Sequence, residues 1–99
     1  MADTAPAKQS PTAEAIVTIT NLKGLHARAS SKFVECAESF SAEITVTRGN
    51  QSVDGKSILD VMMLAAGPGS EIQLEAIGED AGAAISALSA LIEAKFDEE

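Results

Sequence analysis

The chain has 99 residues, a hydrophobic content of 45% and 15 acidic against 7 basic side chains, so its formal net charge at pH 7 is -8. This length suits one domain with a modest core and excludes two independent domains. The acidic balance, together with three Phe and no Trp or Tyr on which bases could stack, argues against a nucleic-acid partner.

The sequence carries no signal for a membrane or for export. No apolar run approaches the roughly 18 residues that a membrane span needs, and the N-terminal stretch "MADTAPAKQSPTAEA" lacks the apolar centre of a secretory signal. We therefore expect a cytoplasmic protein. The single cysteine, Cys36, has no second thiol and no histidine at a metal-ligand spacing, so we interpret it as a buried apolar residue and predict neither a metal site nor a cofactor.

The first part of the chain divides into an extension, a strand and a helix. Residues 1–14 are rich in Ala, Pro, Ser and Thr without periodicity, which predicts a disordered extension before a domain spanning residues 15–99. The β-branched stretch "AIVTIT" then predicts a strand that ends near Asn21. Residues 27–39 show helical spacing of apolar residues, and the side predicted to face the core comprises Ala29, Phe33, Cys36, Ala37 and Phe40.

Two later stretches, "AEITVTR" and "EIQLEAI", alternate strictly between apolar and polar residues. Such alternation is typical of strands that bury one face and expose the other to water. Between them, Gly49-Asn50 predicts a hairpin into a short strand at residues 51–54. The residues predicted to face the core are Ala42, Ile44, Val46, Ile72, Leu74 and Ala76.

Two further helices complete the predicted fold. The middle helix, from Ser57 to about Ala66, is apolar on nearly all sides and ends at a Gly-Pro-Gly breaker, and the last helix is capped by Asp80 and extends to Phe96. The element order is therefore β, α, β, β, α, β, α. Because strands with one polar face need helices on the other face only, we predict an α+β fold in which a four-stranded antiparallel sheet carries three helices on one face.

His26, the only histidine, lies in "KGLHARASSKF", a stretch whose charged residues are all basic. Gly24 permits a sharp turn, so we expect His26 at the N-terminus of the first helix, where unpaired N–H groups favour an anion. His26 is then either a half-exposed cap without chemistry or part of an anion site. Such a site would bind phosphate or carboxylate, or carry a phosphoryl group on the imidazole, because a neutral imidazole is a nucleophile and Arg28 can hold two phosphoryl oxygens. The backbone amides concerned are those of Ala27, Arg28 and Ala29.

Ser57 and the apolar helix after it also allow two interpretations each. The stretch "SILD" is a capping box, which explains Ser57 structurally, whereas phosphorylation at this position would add about -1.5 to -2 charges. In the helix, Val61 and Leu64 are expected to face the core. The remaining apolar residues are either deeply buried or form an exposed patch for a partner, and this patch comprises Ile58, Leu59 and Met62.

The stretches "GLHARAS", "DGKSILDVMMLA" and "EIQLEAIGED" together resemble the HPr family, the histidine-containing phosphocarrier proteins of the phosphoenolpyruvate-dependent phosphotransferase system. The resemblance extends from about Ala15 to Phe96 and implies an open-faced β-sandwich. It implies that His26 accepts a phosphoryl group on ring Nδ1 from phosphorylated enzyme I and passes it to an enzyme IIA component, with help from Arg28. It also implies a carrier that is not itself an enzyme.

The resemblance extends to regulation and to partner binding. It aligns Ser57 with a serine that an ATP-dependent HPr kinase phosphorylates in some bacteria, and it aligns the patch of Ile58, Leu59 and Met62 with a partner-contacting surface. One departure is Ala29, where the family motif usually has proline, so this chain has an additional backbone amide. Asp60 and the acidic "FDEE" tail resemble the nitrogen-related regulatory branch more than the sugar-transport branch.

Two other functions are compatible with the same residues. A small hydrolase of the acylphosphatase kind also has a small α+β fold and a phosphate-binding arginine, and it would turn over acyl phosphates without a protein partner. A regulatory binding module that acts only through the patch would keep its activity after His26→Ala and lose it after Met62→Glu.

Overall fold

The structure of the chain, a computed structural model, describes residues 11–98 and contains the predicted elements in the predicted order. The four strands are β1 (Thr12–Thr18), β2 (Glu43–Arg48), β3 (Gln51–Asp54) and β4 (Glu71–Ile77). The three helices are α1 (Ala27–Glu38), α2 (Ile58–Met63) and α3 (Ala81–Glu93), and a short 3-10 turn, Lys95–Asp97, follows α3. Within this described part, no helix is long and apolar enough to span a membrane.

The four strands form one antiparallel sheet in the order β1-β4-β2-β3. The helices cover one face, and the other face is open, which confirms the predicted α+β open-faced sandwich. The register places Val17 opposite Ile72 and Val46 opposite Leu74, so that the apolar residues of adjacent strands share the covered face. The strand residues predicted from alternation are all buried there: Ala42, Ile44, Val46, Ile72, Leu74 and Ala76.

Strand β1 begins earlier than predicted. Thr12, Ala13 and Glu14, which we assigned to the disordered extension, pair with β4. The reason is that Ala13 packs against the core. The alternation of "AIVTIT" therefore extends toward the N-terminus through small residues. Residues 1–10 of the predicted extension lie outside the residues that the structure describes.

Two helices end earlier than predicted, and left-handed backbone follows in both cases. Helix α2 ends at Met63 rather than near Ala66, and Ala65 has a φ of 52°. Helix α3 ends at Glu93 rather than at Phe96, and the turn Lys95–Asp97 has φ angles of 56–61°. Right-handed helices cannot include such angles. The helices were predicted to be too long because Ala66 and Phe96 continue the apolar periodicity of the sequence. Both residues are buried, but neither belongs to the right-handed helix before it.

Asp80 precedes α3 as predicted, but its side chain does not cap the helix. Its two carboxylate oxygens instead accept hydrogen bonds from the backbone N–H groups of Ser41 and Ala42, each at 2.8 Å. The bond from Ser41 is the main reason why the pKa of Asp80 lies below its usual value. Asp80 therefore connects the start of α3 to the loop before β2.

The core lies between the sheet and the helices, and α1 buries the predicted side. Ala29, Phe33 and Ala37 are fully buried, whereas Phe40 is half-buried at the edge of the core. Cys36, predicted to be buried, is also half-buried, because it lies beside the groove between α1 and α3. Burial raises the pKa of the Cys36 thiol.

Candidate functional site

The loop before α1 is held against the segment that follows α2. The N–H of Leu25 donates to the carbonyl oxygen of Ala66 at 2.9 Å. Gly24 makes this approach possible, because its φ is +61° and a Cβ atom built on it would lie 2.4 Å from that oxygen. A glycine at this position thus fixes where α1 begins.

His26 is the N-cap residue of α1, which confirms its predicted position at the start of the helix. Its backbone is extended, with φ -75° and ψ -176°, and its ring Nδ1 accepts a hydrogen bond from the Arg28 backbone N–H at 3.2 Å. The side chain is 28% exposed. Because the Arg28 N–H can only donate, Nδ1 must present its lone pair, and the ring hydrogen of neutral His26 lies on Nε2.

The hydrogen on Nε2 has a specific acceptor near the C-terminus. The Nε2 atom lies 2.6 Å from Oε2 of Glu98, whose side chain is 16% exposed. The other carboxylate oxygen of Glu98 accepts a hydrogen bond from the side-chain amide of Asn21 at 3.0 Å. The two ring nitrogens therefore have different roles: Nε2 donates to a carboxylate, and Nδ1 faces the helix N-terminus.

The pKa of Glu98 reflects these contacts. Partial burial would raise the pKa, but the hydrogen bonds from Asn21 and His26 and the electrostatic interactions with His26 and Lys32 lower it. The lowering effects prevail, so the pKa lies below the usual value of a glutamic acid. Glu98 is therefore a carboxylate, and an acceptor for Nε2–H, at neutral pH.

A cleft of about 680 Å³ opens beside His26 and carries several charged groups. Arg28 lines it with an exposed guanidinium that has no hydrogen-bond or ion-pair partner within residues 11–98. Lys23 is also exposed on the cleft. Lys32, which also lines the cleft, donates from Nζ to the carbonyl oxygen of Phe96 at 2.7 Å. The cleft beside His26 thus carries the exposed cationic side chains of Lys23 and Arg28, together with the carboxylates of Asp97 and Glu98.

The three backbone amides predicted to bind phosphate belong to residues that differ in exposure. Ala27 and Arg28 are exposed, whereas Ala29 is fully buried. The first backbone hydrogen bond of the helix runs from the Ser30 N–H to the His26 carbonyl oxygen at 2.8 Å, so the amides before Ser30 have no backbone acceptor within the helix, and that of Arg28 donates to Nδ1 of His26 instead. Ala27 and Arg28 are therefore the exposed residues of the three at this helix end.

Ser57 is the N-cap residue of α2, and its Oγ accepts a hydrogen bond from the Asp60 backbone N–H at 3.3 Å. The capping interpretation is thereby confirmed, while the half-buried hydroxyl lies at the start of an apolar surface. Val61 and Leu64 face the core as predicted. Exposed apolar surface on α2 is provided by Ile58, Leu59 and, less fully, Met62, so this helix is not deeply buried on all sides.

Sequence reasoning missed three residues near these sites. Met63 is as exposed as Leu59, and its spacing of four residues from Leu59 is a helical signal that would have identified it. Asn21 and Glu98 were not recognised as neighbours of His26. The acidic "FDEE" stretch was noted as a feature of the tail. Because it follows the last helix and has no periodicity, the sequence does not predict which part of the fold it contacts.

Metal-binding residues are not assembled at this site or elsewhere in residues 11–98. Within this part of the chain, no three His, Cys, Asp or Glu side chains are grouped in a way that could hold an ion.

Comparison with known proteins reveals extensive similarity. A sequence model of the family described as "PTS HPr component phosphorylation site" matches residues 13–94. The phosphocarrier protein NPr of Shewanella violacea is 48% identical over 82 residues, which cover 83% of this chain and 90% of that protein. The phosphocarrier protein HPr of Neisseria meningitidis serogroup A is also 48% identical over 82 residues, covering 83% and 92%. The relative named NPr and the relative named HPr are thus equally identical to this chain.

Solved structures show the same similarity in three dimensions. The crystal structure of HPr-C-His from Thermoanaerobacter tengcongensis superimposes with a TM-score of 0.85 and 44% sequence identity, covering 88% of this chain and 98% of that one. The phosphocarrier protein HPr from Bacillus anthracis gives a TM-score of 0.79 at 36% identity, covering 82% and 96%. The similarity thus extends over nearly the whole of both relatives.

Proposed function

Since the chain belongs to the HPr family of phosphocarrier proteins of the phosphotransferase system, we propose that Nδ1 of His26 is the atom that carries the phosphoryl group. The observation that carries this proposal is the orientation of the ring. Nδ1 presents a lone pair beside the helix N-terminus and the Arg28 amide, while Nε2 holds the hydrogen. The proposed donor is phosphorylated enzyme I, and the proposed acceptor is an enzyme IIA component.

The proposed transfer is a displacement at phosphorus. The lone pair of Nδ1 attacks the phosphorus atom of the donor, a P–N bond forms, and the bond between phosphorus and the donor atom breaks with its electron pair returning to the donor. Transfer to the acceptor protein repeats this step with His26 as the leaving group. Water takes no part, and the protein returns to its initial state only through its partners.

The surroundings of Nδ1 suit a group that must arrive and leave again. Once Nδ1 is bonded to phosphorus, the Arg28 N–H that donates to it becomes available to a phosphoryl oxygen. The exposed guanidinium of Arg28 can donate to further oxygens. Each helix-terminus interaction with an anion contributes only about 0.3–1 kcal/mol, so the site stabilises the phosphoryl group without trapping it.

The decisive experiment is phosphorylation by the proposed donor. Incubation with phosphoenolpyruvate and enzyme I is expected to give one phosphoryl adduct on His26 that is labile in acid and stable in base, and addition of an enzyme IIA component is expected to remove it. His26→Ala should carry no adduct. An unmodified chain, under conditions that label a control carrier, would refute the proposal.

The exposed apolar patch of α2 is the proposed docking surface for these partners. Ile58 and Leu59 are 42% and 71% exposed, and Met62 is half-buried beside them. Contiguous exposed apolar patches on small monomeric proteins often mark protein interaction sites. A flexible methionine also allows one surface to fit more than one partner.

Ser57 is the proposed site of regulatory phosphorylation. Its hydroxyl is half-buried at the N-cap of α2 and immediately precedes the patch. A phosphoryl group there would place about -1.5 to -2 charges beside the apolar docking surface, so we expect it to weaken partner binding. Incubation with ATP and an HPr kinase should give an acid-stable adduct that is absent in Ser57→Ala. Lack of labelling in a reaction that labels a control substrate would remove this role.

A further inference from the structure

Glu98 reaches His26 from the end of a tail that is fixed at several points. The preceding turn, Lys95–Asp97, is left-handed, and Phe96 within it is fully buried. Lys32 of α1 donates a hydrogen bond to the Phe96 carbonyl oxygen. The tail is thus attached to the helix that His26 caps, by a core side chain and by a backbone contact.

Asn21 orients the carboxylate of Glu98. The Asn21 side chain is fully buried, and its amide nitrogen donates to the carbonyl oxygen of Gly24 at 2.9 Å and to Oε1 of Glu98 at 3.0 Å. With the amide reversed, its oxygen would face two acceptors. In the orientation observed, Oδ1 is buried without a hydrogen-bond partner among residues 11–98. A buried unpaired carbonyl oxygen is destabilising, so this arrangement favours the position of Glu98 at some cost to the fold.

We infer that Glu98, oriented by Asn21, is a positioning residue for phosphoryl transfer that keeps the hydrogen of His26 on Nε2 and the lone pair on Nδ1. The inference rests on the proposed function of His26 and adds two residues to it. The contact of 2.6 Å between Nε2 and Oε2 is its geometric basis. A hydrogen bond to a charged acceptor is about twice as strong as one between neutral groups.

The carboxylate has a second effect after transfer. When Nδ1 of a ring that already has a hydrogen on Nε2 forms a bond to phosphorus, the ring becomes positively charged. Glu98 then faces that charge directly and stabilises it. When the phosphoryl group leaves, the bonding electrons return to a ring that still has its Nε2 hydrogen, so the leaving group is a neutral imidazole rather than an imidazolate. Glu98 thereby favours acceptance by stabilising the charged ring, and it retains on Nε2 the hydrogen that makes His26 a good leaving group.

The first test is spectroscopic and does not require phosphorylation. In the 15N-labelled full chain, we expect a ring Nε2–H proton signal that is shifted downfield and exchanges slowly with water. Glu98→Ala should lose this signal, and Glu98→Gln, whose amide oxygen is a neutral acceptor, should keep a weaker one. Glu93→Gln is the matched control, because it removes the same charge from an exposed residue at the end of α3.

The second test measures the rate of phosphoryl acceptance from enzyme I. Glu98→Ala should accept the phosphoryl group about tenfold more slowly, Glu98→Gln should be intermediate, and Glu93→Gln should match the wild type. Thermal unfolding of each variant checks that the fold is intact. If the wild type is phosphorylated but both Glu98 variants equal it in rate and in the Nε2–H signal, the inference is wrong and the proposed function stands. If the wild type is not phosphorylated, both fail.

Discussion

At the scale of the residue, His26 combines a structural role with a proposed chemical one through the same atom. Nδ1 accepts the Arg28 N–H and so completes the first turn of α1. The helix cap therefore holds the ring in the orientation that transfer would need, with Nδ1 toward the backbone amides. A cap and a phosphoryl acceptor, which the sequence left as alternatives, are compatible in this geometry.

Substitutions of Arg28 can show whether its charge or its hydrogen-bond geometry assists phosphoryl transfer. We expect Arg28→Met to reduce the rate of phosphoryl acceptance about tenfold, because a charge-assisted pair of hydrogen bonds to the phosphoryl group is lost. Arg28→Lys keeps the charge and should lie between the two, since an ammonium group cannot bind two oxygens in the same fork. Rates are measured with enzyme I and phosphoenolpyruvate. Equal rates for all three proteins would exclude a role for Arg28.

A substitution of Gly24 can show how much the close packing of the loop before α1 contributes to stability. Gly24→Ala should destabilise the fold by more than about 1 kcal/mol, because the added Cβ atom meets the Ala66 carbonyl oxygen and φ is positive. Gly82→Ala is the matched control. Gly82 lies in α3 with open space around it, so alanine there should stabilise the fold by up to about 1 kcal/mol. Urea unfolding measures both, and a loss of stability in both variants would contradict this explanation.

At the scale of the element, the connections between helices and loops depend on a few side chains at helix ends. Asp80 is an example, because it binds the loop before β2 instead of capping α3. Because the folded state lowers the pKa of Asp80, its contribution to stability is complete above the ordinary aspartate value and decreases as the pH falls toward the lowered one.

Asp80→Asn should therefore reduce the dependence of stability on pH in the acidic range. The variant should be less stable than the wild type at neutral pH, and the difference should shrink as the pH falls below the usual aspartate range. Some acid dependence will remain, because the pKa of Glu98 is also lowered. Glu79→Gln, an exposed neighbour, is the control. Parallel stability curves for wild type and Asp80→Asn would contradict the prediction.

The patch on α2 can be tested against an equally exposed residue on another surface. Leu59 is 71% exposed on α2, and Ile16 is 70% exposed on the open face of the sheet. Leu59→Glu should weaken binding to enzyme I or to an enzyme IIA component about tenfold or more, whereas Ile16→Glu should not. Calorimetric titration measures both. Equal losses would mean that the two surfaces contribute alike or that the charge acts nonspecifically.

The elements were largely predictable from sequence because their signals are local. The alternation in "AEITVTR" and "EIQLEAI" predicted strands whose inward residues are all buried, and Gly49-Asn50 predicted the hairpin. Helix ends were less predictable, since Ala66 and Phe96 are buried by tertiary contacts that do not require helical backbone. His26 and Arg28 were predictable as neighbours because only two positions separate them in the sequence, at the predicted start of a helix.

At the scale of the whole molecule, the candidate site joins two ends of the fold. His26 and Glu98 are separated by 72 positions in the sequence, and Asn21 and Glu98 by 77. Such contacts depend on how α3 and the turn after it pack onto α1, which no local pattern encodes. This is the physical reason why Asn21 and Glu98 could not be recognised from the sequence.

Phe96 should therefore couple core stability to the geometry of the site. Phe96→Ala is expected to lower the free energy of unfolding by about 3–5 kcal/mol and to weaken the Nε2–H signal of His26, because the tail loses its core attachment. Phe33→Ala removes an equally buried ring from the core and should cost a similar amount, yet leave that signal in the folded protein. Denaturant titration and 15N spectra measure both effects. A full signal in folded Phe96→Ala would contradict the coupling.

The contact between the Glu98 side chain and His26 has a practical consequence for laboratory work. Affinity tags or reporter domains are often fused to whichever terminus is convenient. Here a domain inserted directly after Glu98 would lie next to the carboxylate that contacts His26, whereas a truncation before residue 98 would delete that carboxylate. Purification handles are therefore better placed ahead of residue 11, and activity measured on a protein altered at its other end should be compared with the unaltered chain.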